Sequence, residues 1–168
     1  MPKRINNIYH RICDISNIEA ADLKARKCKC KTYGVIRHDR HRDEENKLLS
    51  EMFKNMQYKT SPYTTYKIYE PKERLIFRLP YFPDRIAHHA IMNVMEPIWT
   101  KIFTRDTYSC IKNRGIHALL KKLSKDLVKD PKGTKYCLKL DITKFYPSID
   151  HDVLKRILRK KIKDKQLL

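Results

Sequence analysis

Between Ser61 and Leu79 the helical spacing of apolar residues stops, and two short runs suited to a pleated strand take its place. Tyr63 to Tyr69 is rich in Tyr, Thr and Ile, and Leu75 to Leu79 reads the same way. Residue types of this kind fit a half-buried strand, and Glu70-Pro71-Lys72-Glu73 between them has turn chemistry. The segment predicts a β-hairpin with a basic tip. Helical patterns flank it on both sides, so the chain is mixed α+β, without the regular alternation of a doubly wound sheet.

Ahead of the hairpin, Ile5, Ile8, Tyr9 and Ile12 recur at helical spacing. Asn17 is placed to cap a second helix from Ile18. Leu48, Leu49, Met52, Phe53 and Met56 mark a third. The polar stretch from Lys27 to Asn46 predicts an exposed connection. Its Cys28, Cys30, His38 and His41 are spaced more tightly than zinc-finger ligands, and read as loose surface side chains. Beyond the hairpin, Asp84 is placed to cap a helix carrying Ile86, Ala90, Ile91, Val94, Met95 and Ile98 on one face, bent or ended at Pro97. A further helix from about Gly115 to Val128 is expected to bury Ile116, Leu119, Leu120, Leu123 and Leu127 and to expose Lys121, Lys122 and Lys125. After the turn Asp130-Pro131-Lys132-Gly133, residues 135–142 read as a strand leading to Asp141. Asp150 then caps a last helix with a Leu154, Leu158 and Ile162 stripe.

Charge narrows the choice of partner. Lys and Arg number 38 against 19 Asp and Glu, a formal +19. Such a field favours a polyanion, because neutralising phosphates releases condensed counterions. A membrane-surface protein would gather its basic residues beside one strongly apolar helix face, and here they run along the whole chain. No apolar run approaches the ~18 residues a membrane span needs. The opening residues lead into no signal-like apolar stretch. Five irregularly spaced cysteines point to a reducing compartment, and the expectation is a cytoplasmic protein without structural disulfides.

The segment richest in chemistry is Leu140-Asp141-Ile142-Thr143-Lys144-Phe145-Tyr146-Pro147-Ser148-Ile149-Asp150. A strand delivers one carboxylate, and an aromatic pair follows four and five residues on. Hard oxygen ligands of this kind hold magnesium in nucleotidyl transfer, and a flat aromatic nearby can exclude a 2′-hydroxyl by size. Taken alone, an Asp at a strand end is more commonly a cap or a turn former.

The full string resembles the first catalytic motif of the reverse-transcriptase palm, and two upstream segments fit the same family in the same order. Pro71-Lys72-Glu73-Arg74-Leu75-Ile76 resembles its fingers hairpin. Asp84 to Ile91, continuing through Glu96-Pro97-Ile98-Trp99 to Ile111-Lys112-Asn113-Arg114-Gly115-Ile116-His117, looks like the linked fingers motifs of bacterial enzymes. The group II intron and diversity-generating retroelement types are nearest. The resemblance covers about residues 63–163.

It implies a helical basic N-terminal extension over 1–60, fingers over 61–134 and a partial palm over 135–168. It implies that Asp141 is the catalytic metal ligand, with the Ile142 backbone carbonyl in support, and that Tyr146 gates the sugar with Phe145 behind it. Lys72 and Arg74 would close on the triphosphate, Arg74 with the better geometry for bidentate contact. Arg85, Lys112, Arg114 and Gly115 would lie along template or primer backbone. Asn113 departs from the family, where many relatives carry glycine.

The implied function is that of an N-terminal fragment of an RNA-directed DNA polymerase, a nucleotidyltransferase. Its partners are an RNA template, a DNA or RNA primer, dNTP and an accessory protein, with no membrane. The implied cofactor is Mg2+, with Mn2+ as substitute. The family completes its site with a Tyr-x-Asp-Asp hairpin that these 168 residues do not contain. Magnesium would therefore bind only with those further residues, and this chain alone is expected not to polymerise. The alternative is a non-catalytic RNA-binding protein, or a degenerate remnant, that uses the basic fingers as a clamp. Truncation is also expected to leave apolar palm surface uncovered and to promote self-association.

Overall fold

A computed structural model describes residues 4–168, and the first three residues of the expected N-terminal extension lie outside it. The fold is α+β, as the pattern required. In order along the chain come α1 (Tyr9–Cys13), α2 (Ile15–Ala25), α3 (Tyr33–Asp39), α4 (Arg42–Lys54), β1 (Thr64–Tyr69), β2 (Glu73–Arg78), α5 (Ile86–Thr100), α6 (Ile116–Lys129) and α7 (His151–Arg159). The strands form one antiparallel pair in the register Thr64–Arg78 to Tyr69–Glu73. The chain divides into two compact units. One runs up to Pro97 and takes in Ile157–Leu168; the other is Ile98–Arg156.

The first unit has the core. Ile8, Ile12, Ile18, Ala21, Val35, Leu49, Phe53, Ile86 and Ala90 are buried, drawing on every helix from α1 to α5. Each fully buried Val, Leu, Ile or Phe side chain among them contributes roughly 1.5–3 kcal/mol. Ile162 is buried here as well, where the Ile5 and Ile162 segments pair in parallel. Beside that bridge, Asp164 accepts hydrogen bonds from the Ile8 and Tyr9 amides at 2.7 and 2.9 Å. A carboxylate 155 residues away thus caps the start of α1. Burial opposes its ionisation, but these amides, with those of Gln166 and Leu167, hold its pKa below the usual carboxylate range.

Asp22 is wholly buried and gathers the unit around it. Arg26 Nη2 donates to both of its oxygens, at 2.9 and 2.8 Å, and Arg42 Nε donates to Oδ2 at 2.6 Å. The Tyr81 hydroxyl donates to Oδ1 at 2.6 Å. Burial works against the charged form, yet the hydrogen bonds from Tyr81, Arg26 and Arg42 outweigh it and hold Asp22 below its ordinary value. The same contact, added to burial, pushes the Tyr81 phenol up.

Several sequence expectations are corrected. The stretch from Lys27 to Asn46 is not simply an exposed connection: it contains α3 and the start of α4, and buries Val35, His38 and Asn46. His38 is therefore no loose surface side chain. Its Nδ1 meets Glu45 Oε2, and its ring stacks on Phe82 with centroids 5.7 Å apart. Its polar neighbours in sequence conceal the fact that Val35 and His38, three apart, share one helix face. Cys28, Cys30 and His41 are exposed, as expected.

Asn17 does not cap α2. Asp14 does, accepting from the Ser16 amide, while Asn17 sits inside the helix and donates to the carbonyls of Ile12 and Ala90. Asp84 does not cap α5 either. A π-helical turn, Tyr81–Arg85, precedes that helix, and Asp84 accepts from the Tyr58 hydroxyl and the Ser61 amide. The expected cap at Asp150 does form, accepting from the amides of Asp152 and Val153. Pro97 lies inside α5, which continues to Thr100.

In the second unit α6 forms where expected, but none of its residues is buried, and Ile116, Leu120 and Leu123 are about half exposed or more. Residues 135–142 form no strand. A strand is stabilised by ladder partners on its edges, and no described residue pairs with this segment. Among the described residues no helix is long and apolar enough to cross a membrane.

Replacing Asp22 with Asn should cost about 3–5 kcal/mol in urea unfolding, because it leaves Arg26 and Arg42 without their buried anion. The folded pKa is depressed, so the contribution is complete above the ordinary value of about 3.9 and is lost as pH falls through the folded value. The gap between wild type and Asp22→Asn should accordingly shrink in acid. A gap that widens below pH 4 would refute the assignment.

Candidate nucleic-acid interface

The hairpin projects its chemistry outward. Lys72 occupies the turn and Arg74 the second position of β2, opposite Ile68, and both are exposed. Lys67 on β1 is neutralised by Glu73 at 2.5 Å, whereas neither Lys72 nor Arg74 pairs with a carboxylate among the described residues. Both therefore remain available to an anion. A planar guanidinium on a regular strand suits bidentate phosphate contact.

Arg85 closes the π-helical turn and is half-buried, with Nε donating to the Ala25 carbonyl at 3.3 Å. That bond anchors one edge of the guanidinium on α2. One helical turn further on, burial, then Arg85 and Lys24, hold the His89 imidazole below its ordinary pKa.

In the second unit, Arg114 is half-exposed and its Nη1 donates to the Thr104 carbonyl at 3.2 Å. This bond fixes the side chain across the loop that leads to α6. Asn113 has φ 65°, in the left-handed region. Asn is among the few residues other than glycine that enter this region readily. Gly115 precedes α6 with an extended backbone, and a Cβ built there would meet nothing within 4 Å. The space beside it is open to an approaching backbone, and Lys112 is exposed nearby in sequence.

Asp141 and Ile142 are exposed and belong to no strand. Phe145 and Tyr146 meet edge to face, centroids 5.3 Å apart, with Tyr146 83% exposed at the start of a 3-10 turn. The Ser148 hydroxyl donates back to the carbonyls of Lys144 and Phe145 and closes that turn. Asp141 and the aromatic pair are thus in place in the sequence, but not assembled into a pocket. Among the described residues no group of three or more His, Cys, Asp or Glu could hold a metal ion. A lone exposed carboxylate does not meet the requirements of magnesium, so these residues by themselves do not fit the ion.

Inspection of the residues one by one missed a concave surface in the first unit. It is about 780 Å3 in volume, and α3, the hairpin base and the start of α5 contribute to it. The signal available in the sequence was the spacing of Tyr33, Gly34 and Arg37 on one short helix.

No family model matches the chain. It is 24% identical over 112 residues to Protein YkfC of Escherichia coli (strain K12), a match that takes in 64% of this chain and 29% of that protein. It is also 24% identical over 89 residues to Nuclear intron maturase 1, mitochondrial, of Arabidopsis thaliana, covering 53% of this chain and 12% of that protein. The matched stretch therefore spans less than a third of either relative.

The exposure of the α6 apolar residues gives a direct test. Leu120→Lys and Leu123→Lys together should change thermal stability by no more than about 0.5 kcal/mol, the scale of surface substitutions. They should also reduce self-association in sedimentation velocity. A loss of several kcal/mol would mean that these side chains are buried in solution.

Proposed function

We propose that this chain is the nucleic-acid-gripping front of a reverse-transcriptase-like protein related to intron maturases. The observation that carries the reading is the likeness to an intron maturase over half of a strongly basic chain. The free cations at the hairpin support it. In this reading Arg74 and Lys72 hold the triphosphate of a dNTP. Arg85, Lys112 and Arg114 follow the phosphates of an RNA template and its primer, which pass close to Gly115. Asp141 supplies one magnesium ligand, aided by the Ile142 carbonyl, and Tyr146, backed by Phe145, excludes the 2′-hydroxyl. The remaining carboxylates come from outside these 168 residues, and catalysis depends on them.

A second reading is favoured by one observation: among the described residues no group of three or more His, Cys, Asp or Glu could hold a metal ion. In that reading the chain is a non-catalytic RNA clamp, Asp141 is dispensable, and only cations such as Arg114 matter.

The two readings part at one substitution. In a polypeptide that carries this segment and a Tyr-x-Asp-Asp hairpin, Asp141→Asn should abolish magnesium-dependent primer extension while changing RNA affinity less than about twofold, because only the metal site loses a ligand. Undiminished synthesis by that variant would exclude the polymerase reading. The 168-residue chain itself should extend no primer, and extension by the purified chain would show that its site is complete.

A further inference from the structure

The concave surface of the first unit has no role in the reading above, although Arg85 lies on its wall. Four basic side chains line it, Lys29, Arg37, Arg78 and Arg85. Glu45 is the one carboxylate in the lining, and His38 Nδ1 already occupies it. No carboxylate among the described residues pairs with Lys29, Arg37 or Arg78, and all three are exposed. Cations normally scatter over a surface among acidic partners. Here they surround a cleft without them, and a concave wall of one sign focuses the field into the cleft.

The cleft also has flat apolar surface to offer. Tyr33 and Tyr66 line it and are 76% and 51% exposed, whereas the Phe77 ring is already met edge to face by Tyr63. The exposure of the two tyrosines leaves ring faces free to stack on a planar group. The floor is firm, because α3 lies so close to the turn before α5 that a Cβ on Gly34 would come within 2.8 Å of Tyr81 Cβ. Tyr81 is itself held by Asp22. Both walls are therefore fixed before any ligand arrives, α3 by this packing and β2 by its ladder.

Unpaired cations interleaved with exposed aromatics, along an open cleft with a rigid floor, match the chemistry of an unpaired nucleic-acid strand. Phosphates meet the cations, and unstacked bases meet the rings. A duplex keeps its bases stacked and would leave the rings unused. We propose that the cleft between α3 and β2 is a binding site for single-stranded nucleic acid, with Arg37 and Arg78 on the phosphates and Tyr33 and Tyr66, which shares a hairpin face with Arg78, on the bases. The site is additional to the hairpin tip and to Arg114, and the proposal rests on reading the chain as a nucleic-acid binder.

The test uses the 168-residue chain and fluorescently labelled 12-nucleotide RNA and DNA of one sequence, single-stranded and duplex, with affinity read by anisotropy across a salt series. Both single strands should bind within about threefold of each other and tighter than the duplex, since phosphate and base faces are common to both. Arg37→Glu with Arg78→Glu should weaken binding at least about tenfold and lower the salt slope by about 1.4, at roughly 0.7 per phosphate contact removed. Lys121→Glu with Lys125→Glu on α6 makes the same change in net charge and should cost no more than about twofold, the effect of the general field alone. Tyr33→Ala should cost about tenfold with the salt slope unchanged, through loss of one stacked base.

Photo-crosslinking of wild-type chain to 4-thiouridine RNA should label Tyr33 or Tyr66, a readout independent of whether any variant folds. If wild type binds but the cleft and α6 variants weaken it equally, or crosslinks fall only within 98–156, the cleft site is overturned and the proposed function stands. Tighter binding to duplex than to single strands also overturns the cleft site. If wild type binds no nucleic acid, both proposals fall.

Discussion

One buried carboxylate organises the first unit. Asp22 lies on α2, and the groups that satisfy it come from α2, from the start of α4 and from the turn before α5. A charge without solvent is tolerable only when hydrogen bonds replace its hydration, and here five hydrogen bonds from three side chains converge on two oxygens. Arg26 then extends the network to Asp39 at the end of α3 through Nη1 at 2.6 Å. Three helices and a turn are thus held in register by one polar centre rather than by packing alone. The cleft walls inherit that rigidity, because Tyr81 lies beneath Gly34.

The two units differ in how they meet the usual demands of folding. The first encloses aliphatic side chains from five helices. The second has α6 and the residues around Asp141, but its large apolar side chains remain at the surface: Leu138 and Leu140 are each 81% exposed. Contiguous apolar surface of this kind marks a place where further protein is accommodated or where copies adhere. Asp141 therefore lies in a segment whose backbone hydrogen bonds and apolar faces are both unmet within the described residues.

How much of this was legible in the sequence followed from the range of the interactions involved. The hairpin, α5, α6 and the Asp150 cap are local: strand-forming residues on either side of Pro71, a 3.6-residue repeat, and an Asp two residues from the amide it accepts from. What escaped was non-local. Asn17 and Asp84 are good caps by residue type, yet each is drawn to a distant partner, Ala90 for the first and Tyr58 for the second. The burial of His38 depends on Phe82 and Glu45, which no inspection of residues 27–46 reveals. The expected strand at 135–142 was correct in residue type, but a strand is a property of a pair. Of the candidate site residues, Lys72 and Arg74 could be placed because the hairpin is local. The cleft could not, since its four cations come from four separate segments of the chain.

The clasp of Asp164 on the start of α1 bears on the order in which the molecule is made. The first unit is discontinuous in sequence, and the second is threaded between its two parts. A ribosome releases α1 to α5 long before residue 164 exists, so the nascent helices wait with the Ile8 and Tyr9 amides unsatisfied and the place of Ile162 unfilled. Only after the whole of 98–156 has emerged can the chain return and close the unit. Closure of the first unit thereby waits on the synthesis of residues 157–168, and a chain halted before them would present a partly open core to whatever chaperone or protease it first meets.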